Sequence, residues 1–147
     1  MAVNISPIFP ATPYVVSASL TAATACTTRA PTVTASLAAA NIVALTSTST
    51  NGRRIDRIQV KASSTAIGAA TVAQVVGLWL WDGTTAWLFD EILVTVVTPS
   101  TTAASFDTSN TYTTLVLPAA YKLYMSTTVT TTASTTALIV TVYGGDY

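Results

Sequence analysis

Apolar and polar residues alternate along several short stretches of this chain, which is the pattern of β-strands with one buried face. The clearest stretch is RRIDRIQVKA at residues 53–62, whose second half alternates charged or amide residues with Ile58, Val60 and Ala62. Other apolar runs are short and are separated by clusters of Gly, Pro, Ser or Thr. The pattern predicts one all-β domain, a jelly-roll-like β-sandwich of about eight strands.

One predicted hairpin lies at the centre of the chain, where residues 78–92 read LWLWDGTTAWLFDEI. Asp82-Gly83 is a tight-turn signal, because Gly accepts the positive φ that hairpin turns require. The pattern predicts strands over Val72–Trp81 and Ala86–Val97, on either side of this turn.

Both faces of this hairpin are apolar, whereas a half-buried strand has only one apolar face. The core of a sandwich covers one face, and a second layer must cover the other. Because the chain has no helix to provide that layer, we expect a partner protein to cover it. Each large side chain that becomes fully covered contributes about 1.5–3 kcal/mol. Trp79, Trp81 and Trp87 are therefore interface candidates.

The first 16 residues contain Pro7, Pro10 and Pro13, a spacing that suits an extended segment and excludes a helix or a central strand. We predict an N-terminal arm over residues 1–16 and a β-sandwich over residues 17–147. An arm that contacts a neighbouring subunit is favoured over an unattached terminus, because the segment carries apolar and aromatic residues. Its interface candidates are Ile8, Phe9 and Tyr14.

Four of the six basic residues lie in the strand at 53–62: Arg53, Arg54, Arg57 and Lys61. They could form a patch for an acidic partner. They could also be the solvated face of an edge strand, where charges prevent stray pairing, and the presence of Asp56 among them favours this second interpretation. Arg53, Arg54 and Arg57 stay among the interface candidates.

The composition excludes several classes of partner. Half of the residues are apolar, only 8% are charged, and the net charge is zero. A nucleic-acid-binding protein would need a clustered excess of Lys and Arg, so we expect no nucleic-acid partner. No run of about 18 apolar residues is present and the start lacks the pattern of a signal peptide. We therefore expect a soluble protein made in the cytoplasm, with no membrane partner.

The residue types for catalysis are scarce. The chain has no histidine, so Ser-His-Asp and Cys-His arrangements are absent, and the single Cys26 cannot form an intrachain disulfide. Asp90 and Glu91 are adjacent and must point to opposite faces of a strand. We expect no enzymatic activity, no metal and no cofactor. The Trp and Tyr residues could line a sugar-binding surface, although core or subunit-interface positions are favoured.

Several motifs resemble those of small virion proteins of tailed phages: RIDRIQVKA, the Trp-rich DG hairpin, LFDEI, LVLPA and the ending VYGGDY. The likeness covers residues 51–147 and extends loosely to TRAPT. The resemblance implies a capsid cement (decoration) protein, β-rich, on the outside of the shell and often trimeric. Ala119-Ala120 stands where the resemblance predicts a glycine after the LP turn, which leaves the turn type open.

The resemblance and the apolar hairpin together predict a non-enzymatic structural protein on the capsid surface of a virion. Its expected partners are the major capsid protein and further copies of itself, as a trimer. The alternatives are a tail, head–tail or fibre-base protein and a carbohydrate-binding β-sandwich module. The aromatic residues Tyr143 and Tyr147 of the VYGGDY ending complete the set of interface candidates.

Overall fold

The computed structural model describes residues 9–21, 23–27, 29, 32–33, 41–63, 68–132 and 136–147, and these contain β-strands and no helix. The strands are β1 (Thr12–Leu20), β2 (Thr32–Val33), β3 (Val43–Ala44), β4 (Arg53–Ala62), β5 (Gln74–Trp81), β6 (Thr85–Val94), β7 (Asp107–Leu117), β8 (Lys122–Thr127) and β9 (Leu138–Asp146).

The strands form two antiparallel sheets. The four-stranded sheet has the order β1-β9-β4-β7, and the five-stranded sheet has the order β2-β6-β5-β8-β3. Alternate side chains of the long strands point between the sheets, where Ile58, Val140, Leu78, Leu123 and Met125 are buried in one cluster. The predicted all-β sandwich is confirmed.

Strand β4 contains a β-bulge that decides which of its side chains face the core. The register with both neighbours shifts between Ile55 and Arg57. Because of this extra residue, Ile55 and Ile58 are both buried although they are three positions apart. The predicted alternation from Arg57 onward is confirmed. The interpretation of β4 as an edge strand is wrong, since it lies between β9 and β7.

The central hairpin is confirmed, with β5 and β6 joined by a turn at Asp82–Thr84. Gly83 has a φ of 99°, which is the left-handed conformation that glycine adopts without strain. Oδ1 of Asp82 accepts hydrogen bonds from the amides of Thr84 and Thr85 at 2.8 and 2.7 Å. The Asp82 side chain thus accepts from two backbone donors of the turn and stabilises it.

The predicted boundary of the N-terminal arm at residue 16 is wrong. Strand β1 begins at Thr12, and residues 12–16 pair with β9 as an edge strand of the four-stranded sheet. Pro13 is tolerated there because an edge strand can spare a backbone donor. Residues 1–8, including the candidate Ile8, lie outside the described residues.

Two further stretches differ from the predicted elements. The polar stretch at residues 101–113 predicts a long connection anchored by Phe106, but the connection ends earlier, because β7 begins at Asp107. The Thr-rich stretch at residues 129–142 predicts a pair of strands. The structure has a single strand there, β9, and described residues 128–132 and 136–137 belong to the connection before it. Phe106 is buried in the core, as expected of an anchor. The alanine-rich stretch at Leu37–Ala40 lies outside the described residues.

Candidate interaction surface

The outer face of the hairpin is covered in part by the same chain. Trp79 points away from the main core, yet its side chain is only 1% exposed. It packs in a second cluster with Cys26, Ile42 and Ala86. Two segments of the chain, around Cys26 and Ile42, thus lie over the five-stranded sheet. Covering by a partner is not needed at Trp79, and this residue is removed from the interface candidates.

Three contacts hold this cover and the indole in place. Asn41 donates a hydrogen bond from Nδ2 to the carbonyl of Ala25 at 2.8 Å, which joins the two covering segments. Nε1 of Trp79 donates to Oγ of Ser126 at 2.8 Å. Gly77 leaves room for the indole, because a Cβ there would lie 3.1 Å from Nε1 of Trp79. The buried indole is therefore both packed and hydrogen-bonded.

Arg53 is also inside the subunit, because the bulge in β4 places it on the core side of the sheet. Its side chain is 3% exposed and forms an ion pair with Asp146. Its guanidinium carbon lies 3.3 Å from the centre of the Tyr14 ring, which is half-buried against the core. Arg53 and Tyr14 stabilise the subunit from within, so they are removed from the interface candidates as well.

The outer face of the four-stranded sheet carries a connected polar network. The guanidinium of Arg57 stacks on the Tyr143 ring, 4.0 Å from its centre. The Tyr143 hydroxyl donates to Oε1 of Gln59 at 2.9 Å, and Nε2 of Gln59 donates to Oδ1 of Asp107 at 2.7 Å. These side chains lie on β4, β7 and β9 and form a flat surface whose donors and acceptors are largely matched to one another.

An apolar surface adjoins this network at one end of the same sheet. Arg54 pairs in register with Gly145 and Val116 on its two sides, and Gly145 pairs with Pro13. We define the Phe9 surface as the exposed and half-buried side chains at this end of the sheet: Phe9, Pro10, Pro13, Val15, Arg54 and Val116.

The Phe9 surface contains Phe9, the most exposed large apolar side chain of the described residues, together with exposed Val15 and Val116. Phe9 is 71% exposed and Val15 is 63% exposed. An open groove of about 350 Å³ runs between Phe9, Pro10 and Gly145. Arg54 lies at the groove and is neutralised by Asp56, with Nε 2.7 Å from Oδ1. Exposed apolar side chains grouped in this way mark protein–protein contact sites.

The remaining aromatic candidates lie elsewhere. Trp87 is 49% exposed, and its Nε1 donates a 3.0 Å hydrogen bond to Oδ2 of Asp82. The amide of Thr85, this indole and the amide of Thr84 together lower the pKa of Asp82 below its ordinary value. Trp81 is half-buried and packs edge-on against Tyr124. Tyr147 is half-buried, and its amide donates to the carbonyl of Gly52.

Sequence reasoning missed five exposed apolar residues: Val15, Val72, Leu93, Val96 and Val116. Val15 could have been found, because it shares the period of two with the outward-facing Ser17 and Ser19. Val116 could not have been found, because it lies after an irregular stretch of β7 in which three residues, 112–114, oppose the single residue Asp56. That irregularity changes the face to which the following residues point.

The carboxylates do not form a paired site. Asp90 points between the sheets and accepts hydrogen bonds from Tyr112 and Asn110, whereas Glu91 points outward to Arg29. The opposite directions predicted for Asp90 and Glu91 are confirmed. Within the described ranges, no three His, Cys, Asp or Glu side chains are grouped closely enough to bind a metal ion. The part of the chain that the structure describes contains no helix able to span a membrane.

Comparison with known proteins does not assign the chain to a family. The chain matches no protein-family model, and no curated protein or solved structure is significantly similar to it.

Proposed function

We propose that this chain is a non-enzymatic structural protein of a phage virion, a decoration protein that binds the outside of the major capsid shell. The observation that carries the proposal is the Phe9 surface. It places Phe9, Val15 and Val116 in solvent at one end of a rigid two-sheet body. The motifs that resemble those of small virion proteins support the same function.

The energetics of this surface suit a component present in many copies. Burying one exposed Val or Phe side chain contributes about 1.5–3 kcal/mol, and association has an entropic cost of several kcal/mol. A contact of three such residues is therefore weak for one isolated copy. Copies that also contact one another on a shell bind by avidity. The zero net charge lets copies crowd without mutual repulsion.

The strand order supports a jelly-roll-like architecture, which is common among capsid proteins. We propose that β1, β9, β4 and β7 form one sheet of the roll and that β3, β8, β5 and β6 form the facing sheet. In this arrangement the short β2 is an addition at the β6 edge. For the assembly we propose a homotrimer, as the resemblance implies.

Binding of the purified chain to cognate capsid shells tests the proposal. We expect the wild type to co-sediment with expanded shells, and the double variant Phe9→Ser, Val116→Ser to lose most of this binding. Leu93→Ser is the matched control, because Leu93 is equally exposed but lies on the other sheet. Wild-type protein that stays in the supernatant would refute the proposal. A copy number far below that of the shell protein would instead favour a tail or head–tail component.

A second candidate function is glycan binding, which the geometry of Trp87 favours. A half-exposed indole that Asp82 holds in one orientation is a suitable platform for a sugar ring. A glycan array of wild type and Trp87→Ala tests it, and binding that disappears in the variant is the expected result. An array without hits removes this candidate and leaves the capsid proposal intact.

A further inference from the structure

The two sheets have four edges, and three of them have features that discourage pairing with other chains. Strands β2 and β3, at the edges of the five-stranded sheet, are two residues long. Strand β7, at one edge of the four-stranded sheet, is interrupted where residues 112–114 oppose Asp56. Very short edge strands and irregular edges are common means by which proteins block edge-to-edge association.

The fourth edge, β1, lacks this protection. Its nine residues pair with β9 in an unbroken register from Thr12 to Leu20. The strand contains no charged residue, and its one proline, Pro13, lies next to its start. No described residue pairs with its other side. A regular, uncharged edge of this length presents a row of backbone donors and acceptors to another strand.

We propose that β1 pairs antiparallel with β1 of a second copy of this chain, about a two-fold axis at Ser17. In this register Val15 lies opposite Ser19 of the other copy, and Val16 lies opposite Ala18. At these central positions each valine thus faces a smaller residue, while Tyr14 and Leu20, which lie opposite each other, both pack against the core of their own subunits.

The same register keeps Pro13 out of the paired stretch. With the axis at Ser17, Pro13 lies opposite residue 21, beyond the end of β1. Its missing N–H therefore removes no hydrogen bond from the central part of the ladder. The two four-stranded sheets join into one continuous sheet, and an exposed edge becomes an internal pair of strands.

This contact is two-fold and isologous, so it is distinct from the three-fold contact of the proposed trimer. It depends on the sheet edge alone and holds whether or not the chain belongs to a virion. If both contacts form, the two-fold contact links neighbouring trimers. If only the two-fold contact forms, the chain is a dimer.

A cysteine at the axis tests the register directly. Antiparallel partners have Cα atoms about 4.5–5.5 Å apart, within the disulfide range of about 4.4–6.8 Å. We expect Ser17→Cys to form a covalent dimer under mild oxidation. Ser109→Cys, exposed on the same face of the sheet but on β7, is the matched control. The wild type controls for Cys26, which is buried.

Sedimentation of Ser17→Lys gives a second, independent measurement. Two lysines at the axis repel each other, so we expect the two-fold species to dissociate several-fold more readily than in the wild type. Ser17 is exposed, and unchanged circular dichroism would verify the fold. The proposal is overturned if the concentrated wild type is monomeric, or if Ser109→Cys cross-links as well as Ser17→Cys. The proposal is also overturned if the wild type sediments as a trimer with no larger species and Ser17→Lys sediments in the same way.

Discussion

Arg53 and Asp146 form a two-point ion pair between the first residue of β4 and the last residue of the neighbouring strand β9. Nε of Arg53 donates to Oδ1 at 2.5 Å, and Nη2 donates to Oδ2 at 3.1 Å. Nη1 donates to the carbonyl of Ser47 at 3.1 Å, and the Tyr14 ring lies against the guanidinium. The buried charge is thus neutralised and hydrogen-bonded, which is the condition for a stable buried arginine.

Removing the charge of Asp146 should destabilise the fold strongly. Asp146→Asn leaves the Arg53 guanidinium buried without a counterion, so we expect the free energy of unfolding to fall by about 3–5 kcal/mol. Asp56→Asn is the matched control, because Asp56 pairs with Arg54 nearer the surface, where such pairs contribute about 0–1 kcal/mol. Urea unfolding of both variants measures the difference. Equal losses would contradict the internal role of Arg53.

The two tryptophans Trp79 and Trp87 should differ in their effect on the isolated subunit. Trp79→Ala removes a buried indole and should lower the free energy of unfolding by about 3–5 kcal/mol. Trp87→Ala, on the half-exposed residue, should lower it by less than about 1 kcal/mol. Both values should be independent of protein concentration. A small effect of Trp79→Ala in the monomer would contradict the conclusion that segments of the same chain bury Trp79.

Tyr112 connects the two sheets through its 2.5 Å hydrogen bond to Oδ2 of Asp90. Burial, and then the bond to Asp90, raises the pKa of Tyr112 above its ordinary value near 10. The folded state holds a proton that the unfolded chain releases, so this stability is complete below about pH 10 and is lost as the pH rises further.

Replacing this hydroxyl should lower the stability and flatten its alkaline pH dependence. We expect Tyr112→Phe to lower the free energy of unfolding by about 1.5–3 kcal/mol at neutral pH, as for a hydrogen bond to a charged group. Above pH 10 the difference from the wild type should shrink. Some pH dependence should persist, because burial also raises the pKa of Tyr124. A constant difference at all pH values would contradict the assignment.

The two glycines near the C-terminus should tolerate a side chain to different degrees. Gly144 and Gly145 both lie within β9. A Cβ at Gly144 would lie 2.0 Å from the backbone oxygen of Arg54, whereas one at Gly145 would meet the side chain of Pro10 at 2.4 Å. Gly144→Ala must distort the pairing of β4 with β9.

We expect Gly144→Ala to lower the free energy of unfolding by about 3 kcal/mol or more. Gly145→Ala should lower it by about 1 kcal/mol, because the segment at Pro10 can shift. Thermal unfolding of the two variants provides the comparison. The reverse order would show that the terminal segment at Pro10 is held more rigidly than the sheet.

Ala120 is a position at which a substitution should stabilise the protein. Its φ is 69°, in the turn between β7 and β8, and a left-handed conformation costs a residue with a Cβ about 1–2 kcal/mol. Ala120→Gly should raise the free energy of unfolding by up to about 1 kcal/mol, after the entropy that glycine loses. Ala119→Gly, at a position without positive φ, should lower it. A lower free energy of unfolding for Ala120→Gly than for the wild type would refute the backbone strain at Ala120.

Local pattern predicted the strands that follow a simple period of two. The second half of β4 and the hairpin with its Asp82-Gly83 turn were identified because alternation and turn chemistry depend on neighbouring residues only. The opposite directions of Asp90 and Glu91 follow from the same period. The starts of β1 and β7 were placed wrongly, since Pro residues near one and polar residues along the other hide the pairing that creates them.

The candidate surface was harder to predict than the strands. Of the predicted candidates, Trp79 and Arg53 are buried in the subunit and Tyr14 packs against its core, while Phe9, Arg57 and Trp87 are exposed and Arg54 is half-buried. The exposure of Val15 and Val116 emerged only from the fold. Whether an apolar side chain is covered depends on segments that are distant in the chain. The local sequence pattern does not show which of those segments will contact it.

The sequence by itself determined the class of the fold, because β-branched residues with a period of two and frequent turn residues can bury an apolar face only as paired strands. The tertiary structure decided which face of each strand is inside. One bulged residue in β4 turned Arg53 toward the core, and two segments around Cys26 and Ile42 covered Trp79. Both outcomes result from contacts between residues far apart in sequence, which only the folded chain brings together.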